Sequence, residues 1–164
     1  MDAIECIRSR RSVRRFKDEP VKEEDIRTIL ECAFMAPSGN NRQPWEFFVT
    51  RDKEKLKGLS DACTYGKFIK NACFCIVVTG NTSITSHVVE DCSAATENAL
   101  LAAHALGYGG CWIAGWNRSY EKDVFEVMGI KDDNLHLVSL IALGVPETSD
   151  AKRLKRGFEC VHFV

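Results

Sequence analysis

The sequence predicts one domain of mixed α and β structure over residues 1–164. Helical and strand patterns alternate along the chain, and the strands are too few and too widely spaced for a β-sandwich. No internal repeat or low-complexity linker divides the sequence. Hydrophobic residues make up 45% of the chain and charged residues 27%, so the composition is that of an ordinary globular protein with one core.

The first two helices are marked by a start signal and by periodicity. Asp2 and Glu5 resemble a capping box, which predicts a short helix through Ile4 and Ile7. A second helix is predicted over about residues 23–34, because its apolar residues from Ile26 to Phe34 recur at the spacing of one helical face and acidic residues occupy its first turn. The sequence "PSG" that follows is typical of a helix stop.

Short apolar runs predict the strands. "WEFFVT" (45–50) and "CFCIVVTG" (73–80) indicate buried strands, and "LHLVSLIALGV" (135–145) indicates a third. The glycine-rich "GGCWIAGW" (109–116) indicates a strand or a turn. The weak alternation of apolar residues over 158–163 predicts a late strand at the end of the chain.

Three further helices separate these strands. Leu56 lies in a predicted helix between the first two strands. A long alanine-rich helix is predicted over about residues 85–106, with Gly107 placed to end it. Ser119 is predicted to cap the last helix, and Gly129 to end it.

Composition excludes several classes of protein. The formal net charge is −1, so the chain as a whole carries no field suited to nucleic acid, and any anion site must be local. No segment reaches the roughly 18 apolar residues of a membrane-spanning helix, and the N-terminal sequence "MDAIECIRSR" does not read as a signal peptide. None of the eight cysteines forms C-x-x-C, which favours reduced, buried thiols in a cytoplasmic protein and no metal site.

The common catalytic signatures are missing. The sequence has no G-x-G-x-x-G after a strand, no P-loop, no G-x-S-x-G and no H-E-x-x-H. No catalytic side chain is therefore predicted. The chemistry must therefore come from a bound cofactor, or the protein is not an enzyme.

An arginine cluster is the strongest candidate for a binding site. "SRRSVRRF" (9–16) puts four arginines into eight positions near the start of a nearly neutral chain. Guanidinium groups bind phosphate through paired hydrogen bonds, and a serine hydroxyl adds a further donor. The candidate ligands are Arg10, Arg11, Ser12 and Arg14, and a second basic cluster follows at Arg153, Lys155 and Arg156. From these residues alone the cluster could equally be a solvated basic face, or belong to a non-enzymatic module that binds anions or nucleic acid.

Four segments in order resemble the short form of the FMN-dependent nitroreductases. These segments are "RRSVRRF" (10–16), "APSGNNRQPWEF" (36–47), "DCSAATENALLAAHALGYGGCWIAG" (91–115) and "IALGVP" (141–146). The resemblance covers nearly the whole chain. It implies an α+β fold with a central, mainly antiparallel sheet flanked by helices, in an intertwined homodimer. The small residues Ala95, Ala99, Ala102 and Ala103 are expected to let two long helices cross closely in that dimer.

The resemblance also implies the roles of individual residues around FMN. The implied phosphate ligands are Arg10, Arg11, Ser12, Arg14, Arg153 and Lys155, with Arg156 a weaker candidate. The residues implied to reach the flavin from the partner subunit are Pro37, Ser38, Gly39, Asn41 and Gln43. The residues implied to pass over the ring with their backbone N–H groups are Ile113, Ala114 and Gly115.

The implied activity is electron transfer from NAD(P)H to small planar acceptors such as nitroaromatics or quinones, by a ping-pong mechanism. Another flavin reaction on the same fold, such as reductive dehalogenation, is the alternative that the resemblance leaves open.

Overall fold

The computed structural model of the protein describes residues 1–147 and 157–164. It confirms the predicted α+β class, with a central antiparallel sheet flanked by helices. The helices are α1 (Ala3–Ser9), α2 (Glu23–Phe34), α3 (Lys53–Ala62), α4 (Val88–Ala105) and α5 (Glu121–Met128). The strands are β1 (Trp45–Thr50), β2 (Phe74–Asn81), β3 (Gly109–Ala114) and β4 (Leu135–Gly144).

The sheet has the strand order β1-β2-β4-β3, and every neighbouring pair is antiparallel. Strands β2 and β4 are central, and nearly all of their residues are buried. Burial on both faces explains why their sequences are continuous apolar runs rather than alternating patterns. Strands β1 and β3 form the two edges, so the glycine-rich segment that was expected to be a strand or a turn is an edge strand.

Helices cover both faces of the sheet. Helices α2 and α4 pack on one face, and α3 and α5 pack on the other. Ala95, Ala99 and Ala103 of α4 are fully buried in the first of these layers. The expectation that they form a face for helix crossing between subunits is therefore wrong, because their small size serves close packing within the chain. Ala102 alone of the four is only partly buried.

Most helix ends agree with the sequence prediction. The Asp2 carboxylate accepts a hydrogen bond from the Glu5 amide at 3.0 Å, as a capping residue does. Gly129 ends α5 with a φ of 76°, in the left-handed region that favours glycine. The prediction for Ser119 is wrong, because the residue that precedes α5 is Tyr120 and no side chain caps that end.

Two other boundaries differ from the prediction. Helix α4 begins at Val88, three residues later than expected, because residues 82–87 form turns and bends. In residues 157–164 the chain forms a short 3-10 turn at Phe158–Cys160 rather than the predicted strand.

The segment after α1 lies against the free edge of β3. Ser12 forms a parallel bridge with Gly110, and the Val13 amide donates to the Gly110 carbonyl at 2.9 Å. Val13 is buried there, and a Cβ atom at Gly109 would lie only 2.7 Å from the Cβ of Val13. Glycine is needed at position 109 because any side chain would push the arginine segment off the strand.

The cysteines are free thiols, and most lie in the core. Cys6, Cys63, Cys75, Cys92 and Cys111 are buried, Cys32 and Cys73 are half-buried, and Cys160 is exposed. Burial raises the pKa of the Cys63 and Cys92 thiols to about 12. These side chains behave as small apolar residues, as the sequence predicted.

Candidate functional site

Three of the predicted phosphate ligands lie in the segment that runs beside the start of β3. Ser12 bridges Gly110 of that strand, and Arg10 and Arg14 flank Ser12 in the same segment. Burial raises the pKa of the Cys111 thiol, and this rise is opposed by Arg14, by a hydrogen bond from Ser12 and by Arg10. The bridge to Gly110 therefore places Arg10, Ser12 and Arg14 at this end of the strand.

The arginines differ in their other contacts. The Arg10 Nε atom pairs with Glu97 Oε1 of α4 at 3.3 Å. The Arg14 guanidinium lies 5.8 Å from the centre of the Phe68 ring, within the range of a cation–π contact. Arg11 turns back toward α1, where its Nη1 donates to the carbonyls of Arg8 and Arg10 at 2.8 Å each. Arg10 and Arg14 are thus oriented by neighbouring side chains, whereas Arg11 is held by the backbone.

The positive potential of this region is visible in a neighbouring histidine. Partial burial lowers the pKa of His104, and the nearby Arg10 and Arg11 lower it further. The His104 Nε2 atom is 2.8 Å from the Ser9 hydroxyl, which in turn donates to the Glu5 carbonyl at 2.7 Å. These contacts fix α1 on α4 and so fix the start of the arginine segment.

The other end of β3 carries the predicted ring contacts. Ile113 is buried in the core, so only its backbone can face a ligand. The Gly115 amide donates to the Val138 carbonyl at 2.9 Å and is therefore already bonded. In this register the amide of Ala114 points away from β4, toward the free edge. Gly110 and Ala114 are about 13 Å apart along the strand, so one edge carries both halves of the candidate site.

The loop of residues 37–43 has a well-defined conformation. The Ser38 hydroxyl accepts from the Gln43 amide at 3.0 Å, and the Gln43 side chain donates to Asn41 Oδ1 at 3.2 Å. Asn40, Asn41 and Gln43 have φ values of 52°, 55° and 47°. Such left-handed positions are uncommon outside glycine, so surrounding contacts must hold the loop.

One of these contacts comes from a buried carboxylate. The Gly39 amide donates to Asp91 Oδ1, in the first turn of α4, at 3.0 Å. Asp91 is only 6% exposed, and its Oδ2 atom has no hydrogen-bond partner among residues 1–147 and 157–164. A buried carboxylate is costly unless it is hydrogen-bonded. Its position under the loop therefore indicates a function in holding the loop.

Within one chain, the loop and the arginines lie at opposite corners of the sheet. The loop leads into Trp45, at one end of edge strand β1, whereas Ser12 pairs with Gly110 on edge strand β3. Three strand spacings separate the two edges, about 14 Å. Along the strands, Trp45 is level with Gly80 and His136, and Gly110 is level with Leu143. His136 and Leu143 of β4 are seven residues apart, so the loop and the arginine segment are also separated by about 23 Å in the strand direction. Pro37, Ser38, Gly39, Asn41 and Gln43 therefore do not meet the arginines of their own chain.

Some residues at the site were not predicted from the sequence. Phe68 lies beneath Arg14, Asp91 holds the loop, and the Tyr120 hydroxyl donates to the Ala114 carbonyl. The Arg14–Phe68 and Gly39–Asp91 contacts join segments that are distant in the sequence, so no local spacing signals them. The Tyr120–Ala114 contact lies within the turn between β3 and α5, and no motif in that turn signals it. The predicted ligands Arg153 and Lys155, with Arg156, lie outside the described residues.

Neither a membrane-spanning helix nor a metal-binding cluster is found in the described ranges. No helix in residues 1–147 or 157–164 is long and apolar enough to span a bilayer. In the same ranges, no three side chains of histidine, cysteine, aspartate or glutamate cluster in a way that could hold a metal ion.

Comparison with known proteins points to one family. The model of the nitroreductase family matches residues 7–66 and 63–145. A protein of Archaeoglobus fulgidus, provisionally named an NADH dehydrogenase/NAD(P)H nitroreductase, is 41% identical over 151 residues, which are 89% of this chain and 86% of the relative.

Solved structures agree with this match. An FMN-dependent nitroreductase from Clostridium difficile superposes with a TM-score of 0.91 at 34% identity and covers 98% of both chains. A protein from Desulfovibrio desulfuricans, described as a nitroreductase in complex with FMN, has a TM-score of 0.84 at 30% identity and covers 95% of this chain and 93% of its own.

The Asp91 contact can be tested by stability. Asp91→Ala leaves the Gly39 amide without its acceptor, so we expect the free energy of unfolding to fall by about 1–3 kcal/mol. Urea denaturation measures this loss, and hydrogen exchange at the Gly39 amide should become faster. The matched control is Glu90→Ala, which removes an exposed carboxylate from the same helical turn and should change stability by less than about 0.5 kcal/mol. Equal losses in the two variants would show that the Gly39 contact does not stabilise the loop.

Proposed function

Because this chain belongs to the nitroreductase family, we propose that it is an FMN-dependent oxidoreductase that transfers electrons from NAD(P)H to small planar acceptors. Nitroaromatics and quinones are the acceptor class, and a ping-pong sequence is the order of events. The observation that carries the proposal is the β3 edge, where the segment of Arg10, Ser12 and Arg14 is bonded to Gly110 at one end and the exposed Ala114 lies at the other.

The chemistry of these residues fits FMN. Two guanidinium groups and a hydroxyl form a donor set suited to a terminal phosphate dianion. At the other end of the same edge, the outward-facing amide of Ala114 is a backbone donor. Such a donor suits the polar edge of an aromatic ring system.

When bound, FMN supplies the redox chemistry, by accepting two electrons from NAD(P)H and passing them to the acceptor. The side chains of this protein bind and orient it. Arg10 and Arg14 neutralise the phosphate, and their contacts with Glu97 and Phe68 hold them in place beforehand. Donor and acceptor molecules then use one open face in turn.

We further propose that the complete site is shared between two subunits of a homodimer. The 37–43 loop and the arginines lie at opposite corners of one sheet, so a two-fold partner is needed to place Ser38 and Asn41 beside the FMN held by the arginines. Apolar surface is also exposed on the described chain. Ile4 and Ile7 of α1 project outward, and Phe163 near the C-terminal end is 91% exposed. Exposed apolar patches of this kind mark sites of association.

The activity can be tested on the purified protein. Its visible spectrum should show bound flavin, and mass spectrometry of the heat-released cofactor should identify FMN. Anaerobic addition of NADH or NADPH should bleach the flavin, and a nitroaromatic or a quinone should restore its colour. Initial rates at varied donor and acceptor should give parallel double-reciprocal lines. Failure to bind FMN would overturn the proposed activity, and intersecting lines would overturn the ping-pong order.

The arginine site can be tested by FMN titration. Arg10→Ala removes a charge-assisted contact with the phosphate, so we expect binding to weaken by about 1.5–3 kcal/mol, about ten- to a hundredfold. Arg15→Ala is the matched control, because it removes the same charge from the same segment. Arg15 lines a different cleft, with Lys53 and Lys70, and its replacement should have a much smaller effect. Similar losses in both variants would mean that the segment acts only as a basic surface.

The shared site predicts complementation between inactive variants. Arg10→Ala damages the phosphate side of a site, and Asn41→Ala damages the side contributed by the partner. In a mixed dimer of the two variants, one site carries both substitutions and the other site carries neither. Random subunit exchange makes about half of the dimers mixed, so about one site in four should recover FMN binding. Flavin fluorescence titration of the mixture measures this recovery.

The control for complementation pairs two lesions from the same side. A mixture of Arg10→Ala and Arg14→Ala leaves every site with one lesion, so no recovery is expected. Sedimentation on the same samples reports the oligomeric state. Recovery in neither mixture, or a monomer that binds one FMN with native affinity, would contradict the shared site.

A further inference from the structure

The peptide group between Ala114 and Gly115 is held at both of its polar ends. Its N–H, on Gly115, donates to the Val138 carbonyl of β4 at 2.9 Å. Its carbonyl, on Ala114, accepts a hydrogen bond from the Tyr120 hydroxyl. Because both ends are bonded, the plane of this peptide cannot rotate without breaking a hydrogen bond. The turn that follows β3 thus starts from a fixed orientation.

Tyr120 is suited to be a permanent donor. Its side chain is only 5% exposed and packs in the core layer that contains Ile113 and Val124. Burial raises the pKa of the phenol, and the neighbouring Cys63 adds to the rise. The hydroxyl therefore keeps its proton at neutral pH, and the fixed ring directs that proton at the Ala114 carbonyl.

The hydroxyl also lies on the ligand side of the strand. Ala114 lies opposite Ser139 of β4 in a non-hydrogen-bonded pair. The neighbouring pairs make the hydrogen bonds between the two strands, as the Gly115–Val138 bond shows. The amide and the carbonyl of Ala114 consequently both face the free edge. Tyr120 occupies the carbonyl, which leaves the amide beside it as the backbone donor that faces outward.

We propose that Tyr120 is a positioning residue for the cofactor. Its hydrogen bond fixes the Ala114 backbone so that the Ala114 N–H meets the bound ring in one orientation. This inference rests on the proposed function, because it concerns the ring end of the same FMN site. It assigns the role to a residue of the turn after β3 that does not itself have to touch the ring.

The test compares two tyrosine-to-phenylalanine variants of the full-length protein. Tyr120→Phe removes only the hydroxyl that holds the Ala114 carbonyl. Tyr108→Phe is the matched control, because its hydroxyl donates to Asp25 Oδ2 at 2.5 Å in the opposite core layer. FMN titration measures the dissociation constant. The midpoint potential of the bound flavin reports the ratio of the dissociation constants for oxidised and reduced FMN. Hydrogen exchange on FMN-free protein reports the Gly115 amide, which is bonded to Val138.

For Tyr120→Phe we expect the dissociation constant for FMN to rise about two- to tenfold. The ratio of the dissociation constants for oxidised and reduced FMN should change by at least about twofold, and the Gly115 amide should exchange faster. Tyr108→Phe should leave all three measurements at the wild-type values. If Tyr120→Phe matches the wild type or the control in these measurements, Tyr120 only packs in the core and the inference fails. If the wild type itself binds no FMN, the proposed function fails with it.

A second variant keeps the test decisive if Tyr120→Phe does not fold. The chain has three tyrosines, so Tyr65→Phe with Tyr108→Phe leaves Tyr120 as the only one. Incorporation of 3-fluorotyrosine then makes that phenol a stronger donor without removing it. We expect the labelled protein to bind FMN more tightly than the same unlabelled protein and to show slower exchange at the Gly115 amide. Identical values would overturn the inference.

Discussion

The close approach of the arginine segment to strand β3 is the contact on which the candidate site depends. Val13 is buried against the strand because Gly109 has no side chain to keep it away, and the Val13 amide bonds to the Gly110 carbonyl. These contacts of Val13 hold the arginine-rich segment along one edge of the sheet, although the positive charges of its side chains repel one another. Ser12 and Arg14 face that edge only because Val13 between them is anchored in the core.

The sheet then decides how far the site can extend within one chain. Its two central strands are buried on both faces, so ligands have access only at the edges and corners. The arginines and the 37–43 loop occupy diagonal corners, and helix α4 connects them through Glu97 and Asp91. Both core layers are built from the described residues of one chain, whereas the proposed binding site needs a partner chain to complete it.

The sequence predicted the elements well, since continuous apolar runs and helical periodicity are visible within a short window of residues. It predicted contacts less well. The alanines of α4 indicated close packing but not its partner, because a small side chain fits a sheet as well as a second helix. Ser119 has a side chain suited to capping a helix, yet α5 begins at Glu121 and the residue before it is Tyr120. A capping residue also needs suitable backbone angles. The Gly39–Asp91 contact spans 52 residues and could only be found in the folded chain.

The burial of the cysteines has a consequence for the working life of the protein. Reduced flavins that meet oxygen produce peroxide, and a thiolate is the form of cysteine that peroxide attacks. The thiols of Cys63 and Cys92 have pKa values of about 12 and are closed off from solvent, so they stay protonated and react slowly. Cys160, the exposed cysteine, lies in the C-terminal turn, away from the core. We therefore expect oxidation by peroxide to begin at Cys160 and to leave the packing of the sheet intact.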